Sequence, residues 1–200
     1  MIETVVFDVG RVLYQWDLRF LFRKLIADPG ELEWFVTTVV TPEWHFQHDA
    51  GRPIAEMVAE RSGQFPQHAA LIEAYASRFN ETIPGPIPGS LELVDRLLAN
   101  GIPIHGITNF GADTWAGFRP TAPIFDRFRD IVVSGDEKLA KPDPAIYALA
   151  ERRFGYAPQA MLFIDDSLPN VEAARARGWH AHHFSDAQAL EAALRGINLF

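Results

Sequence analysis

Cysteine is absent from the 200 residues. Its absence excludes disulfides, zinc–thiolate sites, iron–sulfur clusters and a cysteine nucleophile. Basic residues are in the minority, 18 Lys and Arg against 26 Asp and Glu, for a net charge of −8. That balance argues against nucleic acid or an anionic membrane surface as the main partner. A small anionic substrate remains compatible, because a local positive site can sit inside an acidic protein. No apolar run approaches the length of a membrane span. The chain runs straight from Met1 into Thr4-Val5-Val6-Phe7, which reads as a strand and not as a signal peptide. A soluble, cytoplasmic protein is the expectation. Internal repeats and low-complexity segments are also missing.

What is present is a chain 48% hydrophobic, enough to bury a sizeable core. Its length suits one α/β domain, or one domain with a small insertion. Residues 4–9 form a β-branched apolar run with the look of a buried strand. Residues 16–79 then turn helical: Leu18, Leu21, Phe22 and Leu25 recur at three and four, as do Ile54, Met57 and Val58 after Pro53. Pro84-Gly85-Pro86-Ile87-Pro88-Gly89 is the densest Pro/Gly stretch and reads as a boundary or hinge. Beyond it, strands are expected at 102–108, 131–134, 161–164 and 179–183. Helices are expected at 91–98, 145–154, 169–177 and 186–194, with Asp143 and Pro144 opening the second. Alternating strands and helices imply a doubly wound parallel sheet covered on both faces. The helical block reads as an inserted cap, giving a core of residues 1–14 and 85–200 and a cap of residues 15–84.

Ligands of open parallel sheets bind outside the carboxyl ends of the strands. Asp8, Thr108-Asn109 and Asp165-Asp166 sit at such ends, and Lys141 lies in the loop after the third strand. Each alone has an ordinary explanation as a helix cap, a turn or a solvated loop. In order, at successive strand ends, their chemistry fits together. A carboxylate can attack phosphorus to give an aspartyl phosphate. Carboxylates with a backbone carbonyl make a hard oxygen site for magnesium. A lysine, a hydroxyl and backbone N–H groups can hold phosphate oxygens.

Val5-Val6-Phe7-Asp8-Val9-Gly10, Ile107-Thr108-Asn109, Lys141-Pro142-Asp143-Pro144-Ala145-Ile146-Tyr147 and Phe163-Ile164-Asp165-Asp166-Ser167-Leu168-Pro169-Asn170 together resemble the four motifs of the haloacid dehalogenase superfamily, over essentially the whole chain. The resemblance implies Asp8 as nucleophile, and Thr108 and Lys141 as phosphate binders. It implies magnesium held by Asp8, the Gly10 carbonyl and Asp166, with Asp165 in support, and Asn170 bracing that loop. Asn109, Gly10, Lys141 and His48 are the candidate substrate contacts. The implied partner is a small phosphate ester.

One position departs from the pattern. Most phosphatases of that superfamily carry a second Asp two residues after the nucleophile, as the acid and base for the leaving group and water. Here it is Gly10. Three explanations compete. The substrate could have a good leaving group, such as an anomeric sugar phosphate. Asp8-x-Gly10, the segment 44–51 and the loop 109–120 are similar to the glucose-1-phosphate phosphatase branch. A cap residue, His48 or His45, could replace the acid. Or the enzyme is a 2-haloacid dehalogenase, whose leaving halide needs no proton; the retained Asp165-Asp166 pair argues against that. A catalytically weak binding protein is the non-enzymatic alternative. Trp115 and Phe118 are candidates for the site wall and Arg11 for an anion contact. The cap aromatics Trp34, Phe35, Trp44 and Phe46 read mainly as packing, and Lys141 is preferred over Lys138 as the phosphate ligand.

Overall fold

A computed structural model describes residues 1–200. Five strands, β1 (Thr4–Phe7), β2 (Ile104–Thr108), β3 (Asp130–Val133), β4 (Met161–Asp165) and β5 (His180–His183), form one sheet in the order β3-β2-β1-β4-β5. Every pairing is parallel. The chain builds outward from β1 through β2 to β3, then returns to the other side of β1 for β4 and β5. The carboxyl ends of β1, β2 and β4 therefore converge where the winding reverses, which is the place where such sheets bind ligands.

Alternation along the strands divides the core. Val5 and Phe7 of β1, with Leu162 and Ile164 of β4, face the larger apolar cluster. Val6, Met161 and Phe163 face the smaller one. Burial on both sides is why these strands read as continuous apolar runs. Ser90–Ala99, Ala112–Phe118, Pro144–Phe154, Leu168–Ala176 and Ala187–Gly196 are the main helices of this part. Asp143 caps the third of them, its carboxylate accepting from the Ala145 N–H at 2.8 Å, with Pro144 in the first turn.

No strand interrupts the segment between β1 and Pro86. Its longer helices are Pro42–Asp49, Ile54–Gln64 and Ala69–Ser77. The two connections between this segment and the sheet lie side by side: Gln15 N–H donates to Gly85 at 2.9 Å, Asp17 N–H to Thr82 at 3.1 Å and Ile87 N–H to Leu13 at 2.8 Å. Leu21, Phe35, Met57 and Ile72 of the cap belong to the same apolar cluster as Val5 and Ile164 of the sheet. Of the helical repeat at 18–25, Leu18, Leu21 and Phe22 are buried and Leu25 is exposed.

Candidate active site

Asp8 follows β1 by one residue and is buried. Its Oδ1 accepts from the Val9 N–H at 2.7 Å and from the Lys141 ammonium at 2.8 Å. Lys141 is almost sealed, at 1% exposure. Its remaining donors reach Asp165 Oδ2 at 2.7 Å and the Ile107 carbonyl at 2.9 Å. Three partners satisfy all three N–H groups of the ammonium. Burial opposes its charge, but Asp165 and Asp8 outweigh this and hold its pKa above the ordinary lysine value. Burial pushes the Asp8 carboxyl up to about 7, against Lys141, with Asp165 and Asp166 adding to the rise. Asp166 is raised as well, first by burial and then by Asp165.

Asp165 is completely buried. Its oxygens take Lys141, the Ser167 N–H at 2.8 Å and the Asn170 amide at 3.1 Å. This carboxylate holds Lys141 and the loop after β4, which suits the supporting place expected for it beside Asp166. Asp166 carries the open carboxylate. Oxygens of Asp8, Asp165 and Asp166 lie within 4.8 Å of one another. Three carboxylates beside a single ammonium leave an excess of negative charge among hard oxygen donors. That donor set fits magnesium, held by Asp8, Asp166 and the Gly10 carbonyl, which accepts none of the loop backbone hydrogen bonds.

Thr108 is buried at the end of β2, and its hydroxyl has no partner within the protein. An orphaned donor at this depth is unusual and matches a phosphate oxygen. Asn109, expected as a substrate contact, lines the cavity beside Asp8 and Lys141 and also braces Lys141. Its amide donates to the Lys141 carbonyl at 2.9 Å and its Oδ1 accepts from the Lys141 N–H at 2.8 Å. The side chain is thus a two-point clamp on the Lys141 backbone.

Above these groups lies a cavity of about 610 Å³. Asp8, Gly10, Lys141 and Asp166 line its floor, and Trp16, Phe46, Phe79 and Phe110 its apolar wall. Arg11 also lines it, with its guanidinium 5.1 Å from the Trp16 ring. His48 does not. Its Nδ1 lies 2.9 Å from the Arg52 carbonyl and its ring packs on Gly111, so its expected substrate contact is a misplacement by one helical step. His45, three residues earlier on the same helix, faces the cavity. Its Nδ1 is 2.6 Å from the Tyr75 hydroxyl and its Nε2 3.2 Å from Asp49 Oδ2, while its ring stacks on Trp16 at 4.8 Å. Trp115 and Phe118 do not reach the cavity either; they pack with Phe125 in an aromatic cluster. Of the cap aromatics, Phe35 and Trp44 are buried, Trp34 is exposed and Phe46 joins the cavity wall. Lys138 is exposed and touches Gly51. Trp16 and Asp49 were missed as site residues. A usable signal for the second was the His45–Asp49 spacing of four on one helix face.

A doubly wound parallel sheet thus carries a carboxylate–lysine–carboxylate cluster at its switch point, beside a helical insertion, the place and donor set of a hydrolytic α/β enzyme. A sequence model described as a haloacid dehalogenase-like hydrolase matches residues 2–178. The chain belongs to that family. It is 25% identical over 197 residues to a sesquiterpene phosphatase of Aspergillus oryzae, covering 98% of this chain and 96% of the relative. It is 39% identical over 94 residues to a phosphoglycolate phosphatase of Nitrosospira multiformis, covering 46% of this chain and 41% of that one. The second match thus takes in less than half of either protein. A haloacid-dehalogenase-family enzyme of Bacteroides thetaiotaomicron, solved with magnesium and inorganic phosphate, superposes with a TM-score of 0.71 at 21% identity, covering 93% of this chain and 96% of that one. An L-2-haloacid dehalogenase of Xanthobacter autotrophicus superposes with a TM-score of 0.66 at 19% identity, covering 100% and 85%. No helix is long and apolar enough to cross a membrane.

Proposed function

We propose that the protein is a magnesium-dependent phosphatase of small phosphorylated metabolites, acting through an aspartyl phosphate on Asp8. The observation that carries this reading is the buried Lys141 ammonium bridging Asp8 and Asp165, with Asp166 open beside them. Lys141 holds one Asp8 oxygen, which aims the other at the phosphorus of a bound ester. The Thr108 hydroxyl donates to a phosphate oxygen, and Arg11 stands at the cavity for a further charge. The aromatic wall excludes water and receives the organic part of the ester. Magnesium bound by Asp8, Asp166 and the Gly10 carbonyl would neutralise phosphate charge and favour the ionised form of Asp8. Phosphatases among the relatives support the reaction class. Sugar phosphates, an expectation from the resemblance to glucose-1-phosphate phosphatases, are one substrate group for this cavity; the relative that acts on sesquiterpenes suggests more apolar esters as another.

The absence of a side-chain acid at Gly10 favours one competing reaction, release of halide from a 2-haloacid. The test is phosphate release from a panel of sugar and alkyl phosphates, and chloride release from 2-chloropropionate, each with magnesium and with chelator. Magnesium-dependent phosphate release that disappears in Asp8→Asn is expected. Chloride release that survives the chelator would replace this reading with the dehalogenase.

A further inference from the structure

We infer that Asp49 of the cap supplies the proton-transfer group that residue 10 lacks. The inference rests on the phosphatase reading and deepens it. Asp49 lines the same cavity as Asp8. It is 5% exposed, and its Oδ1 has no hydrogen-bond partner. Its other oxygen lies 3.2 Å from His45 Nε2, and His45 is oriented in turn by the Tyr75 hydroxyl at 2.6 Å on Nδ1. Both nitrogens of His45 are therefore engaged, which makes His45 a positioning residue and leaves the free carboxylate oxygen as the group able to reach a ligand. Buried carboxylate oxygens are rarely left without a partner; this one belongs to a side chain that borders the cavity where an ester would sit.

Its position is tied to the catalytic strands. The Asp49 carbonyl accepts from the Ser134 hydroxyl at 2.6 Å, and that hydroxyl accepts from the Phe110 N–H at 2.9 Å. Phe110 follows Thr108 by two residues and also lines the cavity. Asp49 is thus fastened to the loop after β2, even though it belongs to the inserted segment. Meanwhile an ideal Cβ on Gly10 would meet nothing closer than Trp16 Cβ at 3.9 Å. The space where a side chain would begin is open.

In the first step Asp8 attacks phosphorus, the bond from phosphorus to the ester oxygen breaks, and the leaving alkoxide takes the proton from the Asp49 carboxyl. In the second, the Asp49 carboxylate accepts a proton from water. The water oxygen bonds to phosphorus, the bond to Asp8 breaks, and inorganic phosphate leaves with Asp49 protonated again.

The test compares Asp49→Asn with wild type on propyl phosphate and 4-nitrophenyl phosphate, with magnesium. Nitrophenolate leaves without a proton, whereas an alkoxide does not. For the variant, kcat/KM on propyl phosphate should fall by about 10²–10⁴-fold, and on the nitrophenyl ester by less than about tenfold. On the latter, kcat should still fall, with a burst of nitrophenolate equal to the enzyme, because the second step has lost its base. Adding Gly10→Asp to Asp49→Asn should restore propyl phosphate turnover. Equal loss of kcat/KM on both esters, or no loss on either, would overturn the assignment. If Asp49→Asn does not fold, His45→Gln serves instead, and a loss confined to the alkyl ester is again the required result; a uniform loss overturns the proposal. Wild-type protein that releases phosphate from neither ester would overturn the phosphatase reading, and this inference with it.

Discussion

Replacing Lys141 by Ala removes the charge shared by Asp8 and Asp165 at 2.8 and 2.7 Å. Asp165, with no exposed surface, is then left with only the Ser167 N–H and the Asn170 amide. Breaking a buried ion pair from one side typically costs about 3–5 kcal/mol, because the surviving charge stays buried. For a domain of this size each kcal/mol moves the melting midpoint by about 2–4 °C, so a drop of roughly 6–20 °C is expected. Adding Asp165→Asn takes away the stranded charge. The double variant should therefore be more stable than Lys141→Ala alone, with a coupling of about 0.5–3 kcal/mol. It should recover no turnover, because the Lys141 contact that aims Asp8 is still missing. Thermal and urea melts of the four proteins, all in chelator, measure the cycle, and phosphate release with magnesium measures activity. A Lys141→Ala protein within about 1 kcal/mol of wild type would refute the reasoning. So would a double variant no more stable than the single one.

Further outcomes follow from the same structure. His105 is buried with its Nδ1 2.9 Å from the Thr4 hydroxyl, and burial pushes its pKa down from 6.5 to about 4. The folded protein keeps it neutral while the unfolded chain protonates, so its contribution is full above about pH 6.5 and is lost as pH falls through about 4; the shift corresponds to ~3 kcal/mol at ~1.4 kcal/mol per pH unit. In His105→Gln the acid loss of stability across that window should shrink by about that amount, and urea melts at the two pH values check it. A Cβ at Gly111 would collide with the His48 ring, so Gly111→Ala should cost about 1–3 kcal/mol by overpacking, and His48→Ala should relieve it in the double variant, both read by thermal melts. Asp166→Ala should reduce magnesium binding, read by titration calorimetry, while leaving the fold intact, since no side-chain ion pair depends on it.

The strands and the site's floor were legible because their signals are local. Residues 4–9 were expected as a strand and Thr4–Phe7 is one; the run ends where Asp8 turns toward Lys141. The expected strand at 131–134 is Asp130–Val133, because Ser134 instead opens a short helix and binds the cap. The helix Ala112–Phe118 was not foreseen. Its sequence, with a Gly and two large aromatics, has no clear apolar repeat, and docking of Trp115 and Phe118 among other aromatics stabilises it.

By itself the sequence determined the parallel alternation, the helical insertion and the order Asp8, Thr108, Lys141, Asp166, since strand ends and short motifs need only neighbouring residues to be read. Only the tertiary structure decided how each side chain is used. Asn109 and Asp165 carry the right chemistry for a ligand, and the structure shows that both also brace Lys141, Asn109 through its backbone and Asp165 through its ammonium. His45 and His48 are equivalent in sequence, and three residues separate them on one helix. Which of them meets the cavity depends on the rotation at which that helix docks, and that rotation is set by contacts with Ser134, Gly111 and Tyr75, which lie far away along the chain.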